Sequence, residues 1–182
     1  MNHECKKEIV EYDCGFVYVG TYNPETNRLV DAQNVHTWGV TRGIGELVKG
    51  GPTENTVLYP CGDVQFYHPP IVRFVIPDAS QKKFPYRSTP ANADCTKIIV
   101  VQRSWVFVGA TEVVHSPAGK PLYLLAKGSA VVRKFGTPGN DLGALSLKGA
   151  TADTVFDPSC GDVKIPLESL LFTIDCHSPF KF

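Results

Sequence analysis

Gly39-Val40-Thr41-Arg42-Gly43-Ile44-Gly45 is the stretch of this chain best suited to hold an anion. Glycines ahead of a helix leave backbone N–H groups uncovered, and the positive end of the helix attracts negative charge. Arg42 adds a guanidinium that can grip a phosphate through two hydrogen bonds. Trp38, just before it, offers a face on which a base can stack. The candidate ligand-binding set is therefore Trp38, Gly39, Arg42, Gly43 and Gly45, with a nucleotide as the ligand. The segment has neither the Gly-Lys-Ser/Thr of a phosphate-binding loop nor the glycine spacing of a dinucleotide fingerprint. The competing role is structural: the glycines close a tight strand-to-helix turn, and Trp38, Tyr59, Phe66, Tyr67 and Tyr86 fill a core.

Other chemistry-bearing residues are scattered. His3, His36, His68, His115 and His177 show no His-Glu-x-x-His spacing, and no Cys-x-x-Cys occurs among Cys5, Cys14, Cys61, Cys95, Cys160 and Cys176. A metal site is not expected, nor is a cofactor. No Gly-x-Ser-x-Gly elbow or Ser-x-x-Lys supplies a nucleophile. Glu46, Glu54, Asp63, Asp141, Asp153, Asp157 and Asp162 could pair across a cleft, yet Asp63 and Asp162 each follow a glycine, as turn residues do. No catalytic residue is assigned. The cysteines are read as buried, reduced thiols in a chain made in a cytoplasm, because no apolar leader precedes a cleavage site.

The elements that must position these residues occur twice. Phe16-Val17-Tyr18-Val19-Gly20 returns as Trp105-Val106-Phe107-Val108-Gly109, and Trp38-Gly39 returns as Phe135-Gly136. Gly45-Glu46-Leu47 returns as Gly143-Ala144-Leu145, and Pro60-Cys61-Gly62-Asp63-Val64 as Pro158-Ser159-Cys160-Gly161-Asp162-Val163. Such ordered self-similarity predicts a tandem duplication. Equivalent positions would place Trp38 like Phe135 and Cys61 like Cys160. Each copy is roughly 75 residues, a size at which a lone core is marginal, so the copies should share an interface.

Short runs of Val, Ile, Thr, Phe and Tyr, broken by 16 Gly and 14 Pro, predict an all-β fold built from a small barrel- or sandwich-like unit. The first copy should hold strands near 9–12, 16–20, 28–31, 35–38, 56–58, 63–67 and 71–76, and one short helix within 41–50. The second should hold strands near 98–101, 106–111, 122–126, 130–134, 163–165 and 170–174, and a helix over 141–147. The organisation is a first repeat over 8–80, a linker over 81–96, a second repeat over 97–177, and tails 1–7 and 178–182. Phe180 and Phe182 give the last tail two aromatics that can anchor on a neighbouring subunit or tuck onto their own domain.

Eighteen basic and eighteen acidic residues cancel, which argues against electrostatic capture of nucleic acid and against a polybasic membrane anchor. No apolar run is long enough for a spanning helix.

His36-Thr37-Trp38-Gly39, Gly43-Ile44-Gly45-Glu46-Leu47, Gly50-Gly51-Pro52, Tyr59-Pro60-Cys61, Asp63-Val64 and Ile76-Pro77 together resemble a family of short, uncharacterised phage and prophage proteins. That family carries one copy of the pattern where this chain carries two. A single Trp38 stands where the family has Trp-Tyr-Trp, and glycines with Glu46 replace its serine-rich helix. The resemblance implies phage origin and a β-rich unit. Two functions follow as expectations. The first is a non-enzymatic structural or assembly protein of the virion (decoration, head–tail or tail component), made in the host cytoplasm. Its partners would be other phage proteins or copies of itself, as a homo-oligomer. The second is an intracellular binder that sequesters a nucleotide signal of host defence.

Overall fold

The computed structural model describes residues 6–12, 15–84, 96–137, 141–178 and 180. The first half runs β1 (Lys7–Tyr12), β2 (Phe16–Asn23), β3 (Arg28–Thr37), α1 (Ile44–Gly50), β4 (Val57–Pro60), β5 (Val64–Phe66), β6 (Val72–Val75) and α2 (Asp78–Gln81). The second runs β7 (Thr96–Val101), β8 (Trp105–His115), β9 (Pro121–Lys134), α3 (Leu142–Lys148), β10 (Val155–Pro166) and β11 (Leu170–Asp175). The fold is all-β with short helices, and the strands of the described residues form one antiparallel sheet of 11 strands.

The sheet order is β10-β9-β8-β7-β11-β5-β3-β2-β1-β6, with β4 also on β3. Each half therefore repeats one arrangement: β6-β1-β2-β3 continues into β4 and β5, as β11-β7-β8-β9 continues into β10. Registers coincide as well. Tyr18 faces Asn34 and Tyr22 faces Leu29 in the first half; Phe107 faces Val131 and Thr111 faces Ala126 in the second. The halves lie head to tail, because β11 of the second pairs with β5 of the first. Among the described residues the ladder of neither half closes by hydrogen bonds, and each half shares a strand edge with the other.

The long third strand of each half was expected as two segments. A β-bulge explains the apparent break. Asp31 and Gly128 adopt positive φ, 52° and 50°, at matching places in β3 and β9. The bulge N–H of Asp31 donates to Asp63 Oδ1 at 3.1 Å, and that of Gly128 to Asp162 Oδ1 at 3.0 Å. The strand bends there and continues.

The main core crosses the halves. Tyr12, Tyr18, Phe66 and Phe172 pack ring against ring, with Val100, Val108 and Leu145 around them. A second cluster lies under α1 in the first half, where Leu47, Ile76 and Phe84 meet. Phe84 thus ties the start of the expected linker to the first half, while 85–95 lie outside the described residues. Among the described residues no helix is long and apolar enough to cross a membrane.

Candidate functional site

Gly39 sits where β3 turns toward α1, at φ 64°, and a Cβ there would lie 2.3 Å from the Thr56 backbone nitrogen. Gly136 repeats this at φ 66°, with the Thr154 nitrogen at 2.3 Å. The loops that press on them share one set of bonds. Thr56 Oγ1 donates to the Trp38 carbonyl at 2.8 Å and Thr53 Oγ1 to that of Gly39 at 2.7 Å. Thr154 Oγ1 donates to the Phe135 carbonyl at 2.7 Å and Thr151 Oγ1 to that of Gly136 at 2.8 Å. Gly39 is therefore required for a close backbone approach.

The rest of the anion-binding candidate is open to solvent. Arg42, Gly45, Glu46, Lys49 and Gly50 line a shallow hollow. Glu46 turns its own carboxylate back, accepting the Arg42 N–H at 2.8 Å. An incoming anion would meet that carboxylate. The Trp38 ring edge comes to 3.8 Å of where a Gly43 Cβ would stand, so the indole lies over the glycine while staying 38% exposed. Phe66 belongs to the core, the Tyr59 ring lies tilted beside His36 with centroids 5.2 Å apart, and Tyr86 lies outside the described residues.

The better-formed concavity lies between the halves. A cleft of about 520 Å³ is lined by Phe16, Tyr18, Asn34 and His36 from the first half and by Phe135 and Asp141 from the second. That volume is within the roughly 300–1,000 Å³ of small-molecule sites. Asp141 caps α3, accepting the Ala144 N–H on Oδ2 at 2.8 Å, and Thr137 Oγ1 accepts the Asp141 N–H at 3.0 Å. Burial pushes the Asp141 carboxyl up; the Ala144 and Gly143 amides and His36 pull it back only in part. Tyr18 is pushed well up, first by burial and then by Cys61 and Asp141. Among the described residues its enclosed hydroxyl completes no hydrogen bond, although the Asn34 side chain lies beside it.

Comparisons with protein-family models, curated proteins and solved structures find no match.

The cleft was missed in the sequence, yet it left a trace there. Tyr18, Asn34 and His36 occupy the positions that Phe107, Val131 and Arg133 hold in the second half, and Asp141 corresponds to Gly43. Polar groups of one copy that stand where the other has Phe107, Val131 and Gly43, as at Tyr18, Asn34 and Asp141, were the signal.

Between the halves runs an ion cluster. Arg28 Nη2 meets Asp63 Oδ2 at 3.0 Å and Asp175 Oδ2 at 2.5 Å, and Lys97 also binds Asp175. Cys61 and Cys160 are not alike. Cys61 is buried, because α3 lies on it with Gly143 in contact, whereas Cys160 is exposed on β10, the outermost strand among the described residues. Phe180 packs edge-on against Phe156 at 6.1 Å, so this aromatic of the tail lies on its own chain; Phe182 lies outside the described residues. Among the described residues no three His, Cys, Asp or Glu side chains converge as a metal ion would need.

Proposed function

We propose that this chain is a non-enzymatic phage structural or assembly protein, a decoration, head–tail or tail component acting through protein contacts. One observation carries the reading: Trp38, Ile71, Val72, Val75, Trp105, Leu122 and Val155 remain exposed on a chain with an otherwise well-filled core. Val72 and Val75 lie on β6 and Val155 on β10, the two outermost strands, and large apolar side chains left exposed there mark sites of association. Pairing between open sheet edges would bury them. Mass spectrometry of purified phage particles tests the assignment. Stoichiometric peptides of this chain are expected; their absence from particles made by cells that express it would overturn the virion role.

The second reading, an intracellular small-ligand binder, is favoured by the orphaned Tyr18 hydroxyl. It moves the site from Gly39–Gly45 to the cleft between the halves. Thermal melting with a panel of linear and cyclic nucleotides, nucleosides and bases tests it. A ligand at a hundred times its Kd adds about 2.7 kcal/mol to stability, and Tyr18→Phe should reduce that gain. No shift with any member would remove this reading.

A further inference from the structure

We propose that copies of this chain join head to tail, the β6–α1 face of one molecule docking on the β10 face of the next. This contact would repeat between molecules the one that joins the two halves within each. It deepens the assembly reading and rests on it only for its biological setting, since the contact itself is argued from the seam.

The strand edges match first. Within the molecule, β11 pairs with β5 through Phe172↔Phe66, Thr173↔Gln65 and Ile174↔Val64. The counterpart of β11 is β6, since Arg73 faces Val10 as Thr173 faces Ile99. The counterpart of β5 is the end of β10, since Val163 faces Ala126 as Val64 faces Leu29. Both counterparts are the outermost strands of the sheet. Transferring the register gives Val72↔Ile165, Arg73↔Lys164 and Phe74↔Val163 between molecules. The two cations of the central pair are each occupied: Glu8 holds Arg73 at 2.7 and 2.8 Å, and Lys164 lies over the Tyr123 ring. Pro166 has no N–H where Tyr67 donates to the Leu171 carbonyl, so the ladder ends there.

Three further pairs of residues fit the same operation. Gly143 lets α3 press on the first half: a Cβ there would stand 2.8 Å from the Pro60 carbonyl oxygen and 2.9 Å from Cys61 Cβ. The matching glycine of α1, Gly45, has nothing within 4 Å, and the match of Cys61 is the exposed Cys160. Phe16 and Phe135 line the cleft between the halves. Their counterparts are the exposed Trp105 and Trp38, which the docking would bring to one intermolecular cleft. Asp175 and Arg28 form an ion pair across the internal seam. Their counterparts, Val75 and Leu125, are both apolar. Each side of the ion pair has been replaced together with its partner, so the external contact remains complementary.

Such a contact is heterologous, and repetition of it closes a ring or extends a filament. Size-exclusion chromatography with light scattering on the full chain is expected to give a mass above the 19.9 kDa of one chain. A single-chain mass at every concentration tried would overturn the proposal. Register is read by disulfide trapping in a background with Cys5, Cys14, Cys95 and Cys160 replaced by Ser. Val72→Cys chains mixed with Ile165→Cys chains should cross-link to one another. Links only within one variant, or none, would overturn it.

Val75→Asp alone and Leu125→Arg alone should each weaken self-association several-fold, and mixing the two variants, or combining both changes in one chain, should restore it. Gly45→Gln should separate the copies while secondary structure by circular dichroism stays unchanged. Assembly unaffected by all of these changes would sink the contact. A chain that is monomeric in solution yet present in particles refutes this docking and leaves the virion role intact. A chain that assembles as described yet is missing from particles supports the docking and removes the virion role alone.

Discussion

Arg28 on β3 reaches across β5 to Asp175 on β11, Nη2 to Oδ2 at 2.5 Å, and so ties the first half to the second by a charge pair. Asp175 is nearly enclosed, and burial would raise its carboxyl. Lys97 and Arg28 outweigh burial and hold it below the usual carboxylate range. A carboxyl whose folded pKa is depressed adds stability above its unfolded value and loses it as pH falls through the folded one. The contribution should therefore be complete above about pH 4 and be lost progressively below it, as pH falls through the depressed folded value. Arg28→Ala should cost about 1–3 kcal/mol at neutral pH, since it strips a buried carboxylate of a partner. Urea unfolding at pH 7 and pH 3 checks this: the deficit of the variant should shrink at the lower pH.

The glycines divide into those the fold needs and those it does not. Gly39→Ala and Gly136→Ala each place a methyl against backbone at 2.3 Å and strain a positive φ. Each should lose on the order of 3 kcal/mol or fail to fold. Gly50→Ala, on α1 with open space around it, should gain about 0.5 kcal/mol or stay neutral. Thermal melts of the three variants separate the two classes. Equal losses at Gly39 and Gly50 would contradict the packing described here.

Much of the fold was legible because the sequence states it twice. Strand positions and the short helices α1 and α3 follow from runs of β-branched residues and from glycines at matching places, such as Gly39 with Gly136; the order of strands in the sheet does not. The bulges at Asp31 and Gly128 were not legible, because a strand that bends without ending looks broken to a period-two pattern. The cleft was harder still. Tyr18 and Asp141 are far apart in sequence, and the pairing of β11 with β5 and the packing of α3 on Cys61 bring the halves together around them. Cys61 and Cys160 read alike but sit differently, since one faces a packed helix and the other an open sheet edge.

That difference can be read chemically. Burial pushes the Cys61 thiol well up and the Cys176 thiol up to about 12, and thiolate is the reactive form. Cys160 is exposed. Native-state alkylation at pH 8 followed by peptide mapping, on chain diluted until it is a single copy, should mark Cys160 rapidly and leave Cys61 and Cys176 unmodified until denaturant is added. Prompt labelling of Cys61 would show that α3 does not cover it.

Asp141 gives the opposite pH signature to Asp175. Its folded pKa is raised, chiefly by burial, so ionising it costs the folded state more than the unfolded one. Stability from this site is greatest below the unfolded value near pH 4 and falls as pH rises through the raised folded value. Asn in its place keeps an acceptor for the Ala144 N–H and removes the charge. Asp141→Asn should therefore be as stable as the parent at pH 7 or more so, and should flatten the fall above about pH 4. Asp141→Ala removes the cap as well and should lose about 1 kcal/mol relative to the Asn variant. Melts of the three proteins across that range decide the matter. A parent chain that instead grows more stable through pH 4–7 while Asp141→Asn does not would mean the carboxylate is wanted charged, held there by a cationic partner in the cleft.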